Sequence, residues 1–89
     1  KRADGSLELE IMQILWDNQS PMSPNEVREL LAGTLAYTSV ATVLIRLCEK
    51  SQVKRAIAGR NYVYVACISR EDWYSNRMNA ILNETVVSF

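Results

Sequence analysis

The sequence predicts a mostly α-helical domain with one small β-hairpin. Apolar residues recur at helical spacing in three stretches before residue 52, and a fourth helical stretch begins near residue 69. Between them lie two short runs rich in Val, Ile and Tyr, which are typical of paired strands. A three-helix core, a hairpin wing and a following C-terminal helix is the order of a winged helix-turn-helix domain.

Length and composition limit what such a domain can be. The 89 residues are 48% hydrophobic with three Gly and two Pro, which favours one compact domain over a disordered chain. No apolar run approaches the ~20 residues of a membrane span and no export leader is visible, so we expect a cytoplasmic protein without membrane insertion. Because the first residue is Lys rather than Met, we expect a fragment of a longer chain.

The residue types argue against an enzyme. The chain has no His, which is the usual proton shuttle and metal ligand, and two cysteines are too few for a four-ligand metal site. We therefore expect no catalytic residue, no metal and no cofactor. Cys48 and Cys67 are interpreted as small apolar fillers of the interior, and a redox or metal role is the alternative.

The first two helices are predicted from periodicity and capping signals. The first covers the apolar stretch 7–16, whose hydrophobic residues are too widely spread for a helix covered on one flank only. The second begins at Pro24, because Ser23 and Glu26 form a capping box around a proline suited to the first helical position. Gly33 is positioned to end it. Its inward face is predicted to be Val27, Leu30 and Leu31.

The third helix is predicted from Thr38, acting as N-cap, to about Ser51. Its outer side carries small polar residues and lacks the Glu and Lys side chains of a helix that only meets solvent. Such a face can enter a DNA major groove, which is about 12 Å wide. The inward residues fall within roughly 100° of arc: Val40, Val43, Leu44 and Leu47.

The hairpin is predicted to consist of strands Val53–Ile57 and Tyr62–Cys67 with a turn at residues 58–61. Tyr62 and Tyr64 share one face of the second strand, where they either pack on the core or stack on bases.

Ser69 is predicted to cap a fourth helix that continues towards Asn83. We divide the chain here: residues 1–68 form a winged-helix DNA-binding domain, and residues 69–89 form a C-terminal helix. For Trp73 the alternative to a dimer contact is packing against its own domain. The candidate dimer contacts are Trp73, Met78, Ile81 and Leu82.

The formal net charge is zero, but the charge is unevenly distributed. Residues 1–45 carry three basic and six acidic side chains, residues 46–62 carry five and one, and residues 63–89 carry two and three. The positive segment covers the end of the third helix and the hairpin, which predicts a surface facing phosphate. The alternative is a solvated charged loop.

Eight residues are the candidate DNA-binding set: Thr38, Ser39, Thr42, Arg46, Lys54, Arg55, Arg60 and Asn61. Ser39 and Thr42 can hydrogen-bond base edges or phosphates, a Thr methyl can touch a thymine methyl, and Arg46 can reach a phosphate or a guanine. The hairpin residues would contact the phosphate backbone. The alternatives are plain solvent exposure for the small polar residues, an ion pair of Arg46 with Glu49 or Glu29, and protection of the hairpin edge against aggregation.

Three separated blocks of the sequence resemble a known family. They are Leu9-Glu-Ile-Met-Gln-Ile-Leu-Trp16, Ala36-Tyr-Thr-Ser-Val-Ala-Thr-Val-Leu44 with Arg46-Leu47, and Gly59-Arg60 followed by Tyr62-Val-Tyr64. Over about residues 7–82 the chain is similar to the penicillinase-repressor (BlaI/MecI) family of bacterial transcription regulators. Residues 37–39 and Thr42 correspond to the start of its recognition helix, and Arg60 to the Gly-Arg of its wing.

The resemblance implies a transcriptional repressor that binds a palindromic operator in double-stranded DNA as a homodimer and controls resistance or metal-homeostasis genes. It also implies that residues 69–89 begin a dimerisation segment, which we expect to be truncated here relative to the full segment of the family. As a regulatory partner it implies the protease of a membrane sensor system. Ser51 stands where the family usually has a Gly after the helix, and the cysteine cluster of its copper-responsive members is absent. The alternative is a winged-helix module that binds protein rather than DNA, supported by zero net charge and by Ile45 on the outer margin of the third helix.

Overall fold

The computed structural model describes the backbone of residues 6–31, 33 and 35–87, and side chains within these ranges as far as residue 79. The elements are α1 (Ser6–Asn18), α2 (Pro24–Leu30), α3 (Tyr37–Glu49), β1 (Val53–Ala58), β2 (Asn61–Ala66) and α4 (Arg70–Val87). This order of a three-helix core, an antiparallel hairpin and a C-terminal helix confirms the predicted fold class.

The hydrophobic core lies where α1, α2 and α3 meet the hairpin and the first turns of α4. The four residues predicted for the inward side of α3 are all buried. Burying a side chain of this size contributes roughly 1.5–3 kcal/mol, so this stripe fixes which face of α3 turns outward. The buried set is Ile11, Met12, Leu15, Met22, Val27, Leu31, Val40, Val43, Leu44, Leu47, Val53, Tyr64 and Trp73.

The second helix forms as its capping signals predict but ends early. The Ser23 side chain accepts from the Glu26 backbone N–H, and the Glu26 carboxylate accepts from the Ser23 N–H, which completes the capping box. The helix is only seven residues long and its C-cap is Leu31, in extended backbone. This turn directs Leu31 into the core and leaves Leu30 55% exposed, so the prediction that Leu30 faces inward was wrong. Gly33 lies beyond the helix end.

Both ends of α3 differ from the prediction. The N-cap is Ala36, without a side-chain hydrogen bond, so Thr38 lies inside the first turn and does not cap it. At the other end the helix stops at Glu49. The N–H of Ser51 then donates to the carbonyl of Cys48, and the N–H of Gln52 to that of Leu47, both at 3.0 Å.

These two hydrogen bonds are those of a Schellman motif, which requires a left-handed residue after the helix. Ser51 supplies it with a φ of +63°. The chain therefore adopts the backbone that glycine favours at this point while carrying a serine there. At this position the chain differs from the family pattern in the type of residue, because a serine stands where a glycine is usual.

The hairpin pairs Val53 with Ala66 and Ala58 with Asn61, which leaves a two-residue turn. Gly59 takes the first central position with a φ of +64°, as type II′ turns require. A third segment, which the sequence did not predict, also pairs with the hairpin. Met22, in the loop between α1 and α2, exchanges two backbone hydrogen bonds with Tyr64, of 2.9 and 2.8 Å, and so attaches this loop to the sheet.

The last helix begins as predicted, because the Ser69 hydroxyl accepts from the N–H of Asp72 at 3.1 Å. It continues to Val87, beyond the predicted end near Asn83. Trp73 in its first turn is 1% exposed, and its ring meets that of Trp16 edge-on with centroids 5.9 Å apart.

The burial of Trp73 decides between the two interpretations of this residue. Because its side chain fills the domain's own core, it is not available to a second chain, and its inclusion among the dimer contacts was wrong. Met78 is 58% exposed. The side chains of Ile81 and Leu82 lie outside the described residues.

Candidate nucleic-acid interface

The outer face of α3 brings four of the predicted residues together. All four are exposed: Thr38, Ser39, Thr42 and Arg46. The other three lie three or four residues from Thr42 along the helix, so the four side chains form one surface. Within the described part of the chain Arg46 makes no ion pair with Glu49 or with any other carboxylate. Its guanidinium is therefore available to a phosphate or a base.

The hydroxyl of Thr42 is turned towards its own helix. Its Oγ1 donates to the backbone carbonyl of Thr38 at 2.7 Å, the common back-bond of a helical threonine. A threonine hydroxyl has one hydrogen, so Thr42 has no donor left for a base while this bond is kept.

A groove of about 290 Å³ separates α3 from the hairpin and is called the wing groove below. The short segment 23–25 at the start of α2 closes one end of it. From α3 it is lined by Tyr37, Ala41 and Ile45, and from the hairpin by Arg55, Arg60, Asn61, Tyr62 and Tyr64.

Strand register explains why Arg55, Tyr62 and Tyr64 line the wing groove together. In an antiparallel pair, residues directly opposite each other share a face. Arg55 is opposite Tyr64, and Tyr62 is opposite Ile57 on the same face. The guanidinium carbon of Arg55 lies over the Tyr62 ring, 4.3 Å from its centroid, and this cation–π contact holds the cation at the groove wall. Tyr64 is buried in the core, whereas Tyr62 remains exposed.

Lys54 is separated from the other predicted hairpin residues. It is paired with Val65, so the alternation of the strand places it on the opposite face of the hairpin from Arg55. It is exposed but does not line the wing groove. The structure thus assembles seven of the eight predicted residues around α3 and the groove and places Lys54 apart from them.

Sequence reasoning missed the apolar row on α3 that faces the hairpin. Tyr37, Ala41 and Ile45 follow one another at intervals of four residues, and Tyr37 and Ile45 are 45% and 42% exposed. The i, i+4 spacing was a signal for one shared face. Only Ile45 was identified in advance as lying on the outer margin.

The two cysteines differ in environment. Cys48 is half-buried and packs against the core, as a small apolar filler does, and burial raises the pKa of its thiol although nearby Arg55 opposes the shift. Cys67 is exposed, and its thiol donates to the Ser51 carbonyl at 3.1 Å, so the prediction that Cys67 fills the interior was wrong. Among the described residues no cluster of three or more His, Cys, Asp or Glu side chains could hold a metal ion.

An exposed helix face with small polar side chains, next to a hairpin lined by arginines, defines a winged helix-turn-helix domain of the DNA-binding class. Residues 5–89 match the model of the penicillinase repressor family, and the chain belongs to that family. The family consists of repressors rather than enzymes, in agreement with the prediction. No helix in the described residues is long and apolar enough to cross a membrane.

Individual relatives agree with this assignment. The transcriptional regulator BlaI of Mycobacterium tuberculosis is 34% identical over 76 residues, which are 83% of this chain and 55% of that protein. The chain thus spans about half the length of the curated relatives it matches.

Two solved structures of BlaI are also similar to this chain. One is the DNA-binding domain of the repressor BlaI, with a TM-score of 0.64. The other is the monomeric form of Bacillus licheniformis BlaI in complex with the blaP half-operator, with a TM-score of 0.61. Both are 31% identical and cover 81% of this chain and 87% of theirs.

Proposed function

We propose that this chain is the sequence-specific DNA-binding part of a cytoplasmic transcriptional repressor. In this proposal α3 enters the major groove and the hairpin follows the adjacent phosphate backbone. The observation that carries it is the exposed face of α3 next to the wing groove, with Arg46 on one side and Arg55 and Arg60 on the other. The related BlaI structure in complex with a half-operator supports the same use of this fold.

The distribution of ion pairs supports this orientation. On the side formed by α1 and α4, cations pair with carboxylates: Lys50 with Glu8 at 3.2 Å and Arg70 with Asp17 at 3.3 Å. Glu8 also forms an ion pair with Arg77, at 3.6 Å. In the described part of the chain Arg46 and Arg60 have no such partner. Positive charge thus remains uncompensated on the α3 and hairpin side, where it attracts a polyanion.

We further infer that the repressor acts as a homodimer on a palindromic operator, with α4 continuing into the dimer contact. Tyr74 and Met78 are one helical turn apart and are 44% and 58% exposed, an apolar surface suited to a second copy. Two such domains would read half-sites whose centres are about 34–36 Å apart, or a multiple of this. By family resemblance, the regulated gene is one for resistance or metal homeostasis, and a sensor-linked protease relieves repression.

The second candidate function is a protein-binding module. The exposed apolar row Tyr37, Ala41 and Ile45 favours it, since such a row can also receive a partner's side chains. The two functions differ in their response to salt, because displacement of counterions from DNA makes affinity fall steeply with ionic strength.

The deciding experiment is selection of duplexes from a randomised 30-base-pair pool with this chain, followed by titration of the selected and a scrambled duplex at two salt concentrations. We expect enrichment of one motif, tighter binding to it than to the scrambled duplex, and weaker binding to both at higher salt. Failure to enrich any motif, together with affinity independent of salt, would contradict the DNA-binding proposal and favour the protein-binding module.

A further inference from the structure

The side chain of Thr42 is at the centre of the outer face of α3, and its hydroxyl hydrogen is already used. Oγ1 donates to the Thr38 carbonyl at 2.7 Å, and the residue as a whole is exposed. A threonine side chain carries only a hydroxyl and a methyl. What Thr42 presents outward is therefore a methyl group together with the lone pairs of its oxygen.

These two groups recognise different bases. In the major groove a methyl packs on the C5-methyl of thymine, which no other DNA base carries, whereas oxygen lone pairs accept from the amino group of adenine or cytosine. Donation from Thr42 to the N7 or O6 of guanine would require breaking the bond to Thr38. The internal hydrogen bond thus removes guanine from the bases that this hydroxyl reads.

The neighbouring side chains favour the methyl over the lone pairs. Ile45 lies three residues further along the same helix and is 42% exposed. Ala41, directly before Thr42 in the chain, belongs with Ile45 to the apolar row that lines the wing groove. A methyl at Thr42 extends this apolar surface to the centre of the reading face. Covering exposed aliphatic surface with another apolar group lowers the free energy of the complex, and it leaves no polar atom without a hydrogen-bond partner.

We propose that Thr42 is a specificity-determining residue that selects a thymine in each half-site by methyl–methyl contact. This inference rests on the proposed function, since it assumes that α3 lies in the major groove. The inference adds a preference for thymine to the proposed function. It assigns this preference to the contact between the Thr42 methyl and the C5-methyl of the base.

The test removes one methyl at a time from each partner. Replacing each thymine of the selected duplex singly by uracil deletes only the C5-methyl. We expect one such replacement per half-site to weaken binding of this chain about fourfold, the effect of one buried methyl-sized group. Thr42→Ser keeps the hydroxyl and deletes the protein's methyl, so it should weaken binding to the thymine duplex about fourfold and have no further effect on the uracil duplex.

Thr42→Val is the matched control, because it keeps the methyl and the shape of the side chain and deletes the hydroxyl. We expect it to bind like the unsubstituted chain and to keep the sensitivity to uracil. If Thr42→Val loses tenfold or more while Thr42→Ser does not, the oxygen reads the base and the inference is overturned. It is equally overturned if no thymine is sensitive to replacement.

These outcomes are distinguishable from failure of the proposed function itself. A chain that enriches a motif and prefers it over a scrambled duplex is a sequence-specific binder whether or not uracil matters. Circular dichroism of each variant verifies that the helix content of the domain is unchanged, so that a loss of affinity can be assigned to the contact.

Discussion

The indole nitrogen Nε1 of Trp73 donates a hydrogen bond to Oε1 of Gln52 at 3.1 Å. The two residues are 21 positions apart in the chain and join α4 to the junction between α3 and the hairpin. Gln52 also donates its N–H to Leu47 at the end of α3, and its carbonyl accepts from the N–H of Cys67 after β2. One residue thus connects the candidate recognition helix, the wing and the C-terminal helix.

This contact predicts that replacing the side-chain amide of Gln52 destabilises the domain. Gln52→Met keeps the length of the side chain and leaves the indole N–H of the almost fully buried Trp73 without an acceptor, which costs about 1–3 kcal/mol in the free energy of unfolding. Urea titration measures it. Gln52→Glu, which retains an acceptor oxygen, is the control and should lose clearly less; equal losses would show that the hydrogen bond contributes nothing.

Ser51 offers a substitution that stabilises the domain. Because its φ is +63° and the Schellman motif holds it there, Ser51→Gly should raise the free energy of unfolding by about 0.5–1 kcal/mol. Ser51→Ala retains a Cβ and should change it little. Thermal or urea unfolding distinguishes the two, and a stabilisation by alanine as large as that by glycine would refute the explanation from backbone strain.

The wing predicts a difference between cations on its two faces. Arg60→Ala should weaken binding to selected and scrambled duplexes alike and reduce the slope of log affinity against log salt by about 0.9, the value for one lost phosphate contact. Lys54→Ala removes the same charge from the face opposite the wing groove and should leave the slope nearly unchanged. Salt titrations of both variants test the placement, which would be wrong if Lys54→Ala lowered the slope equally.

The exposed apolar pair on α4 predicts the site of self-association. Met78→Glu introduces a charge on the surface shared with Tyr74 and should lower the dimer fraction measured by sedimentation equilibrium. Asn76→Glu adds the same charge at another exposed position of α4 and should have little effect. If the chain associates and both variants behave alike, or if it does not associate, the α4 contact is not supported.

The thiols should differ in reactivity. Cys67 is exposed, whereas Cys48 is half-buried with a raised pKa, so iodoacetamide should modify Cys67 first. Mass spectrometry of Cys67→Ser and Cys48→Ser at increasing pH measures the labelling rate of each remaining thiol separately. Faster labelling of Cys48 would contradict its placement.

The raised pKa of Cys48 also has a consequence for stability. Because the folded state favours the neutral thiol of Cys48, its contribution to stability is complete below the ordinary thiol pKa and is lost as the pH rises above it.

Local signals in the sequence were sufficient for most of the fold. The capping box at Ser23 and the cap at Ser69 were correctly predicted because each acts within three residues of the chain. The inward stripe of α3 was equally predictable, since its periodicity reflects one helix against one core. The outward position of Thr42 and Arg46 followed from that stripe by elimination.

Features that depend on contacts between elements could not be read in this way. The exposure of Leu30 follows from where α2 ends, and the separation of Lys54 from Arg55 follows from the register of a strand against its partner. Likewise, Trp73 fits a dimer contact by composition and became a core residue only because Trp16 and Gln52 lie beside it.

The sequence by itself thus determined the element order, the family and the face of α3 that turns outward, because periodicity and capping are properties of neighbouring residues. Only the tertiary structure decided which cations share the wing groove and that Trp73 belongs to the core. Both depend on contacts between segments that are far apart in the sequence, and no pattern of neighbouring residues encodes such contacts.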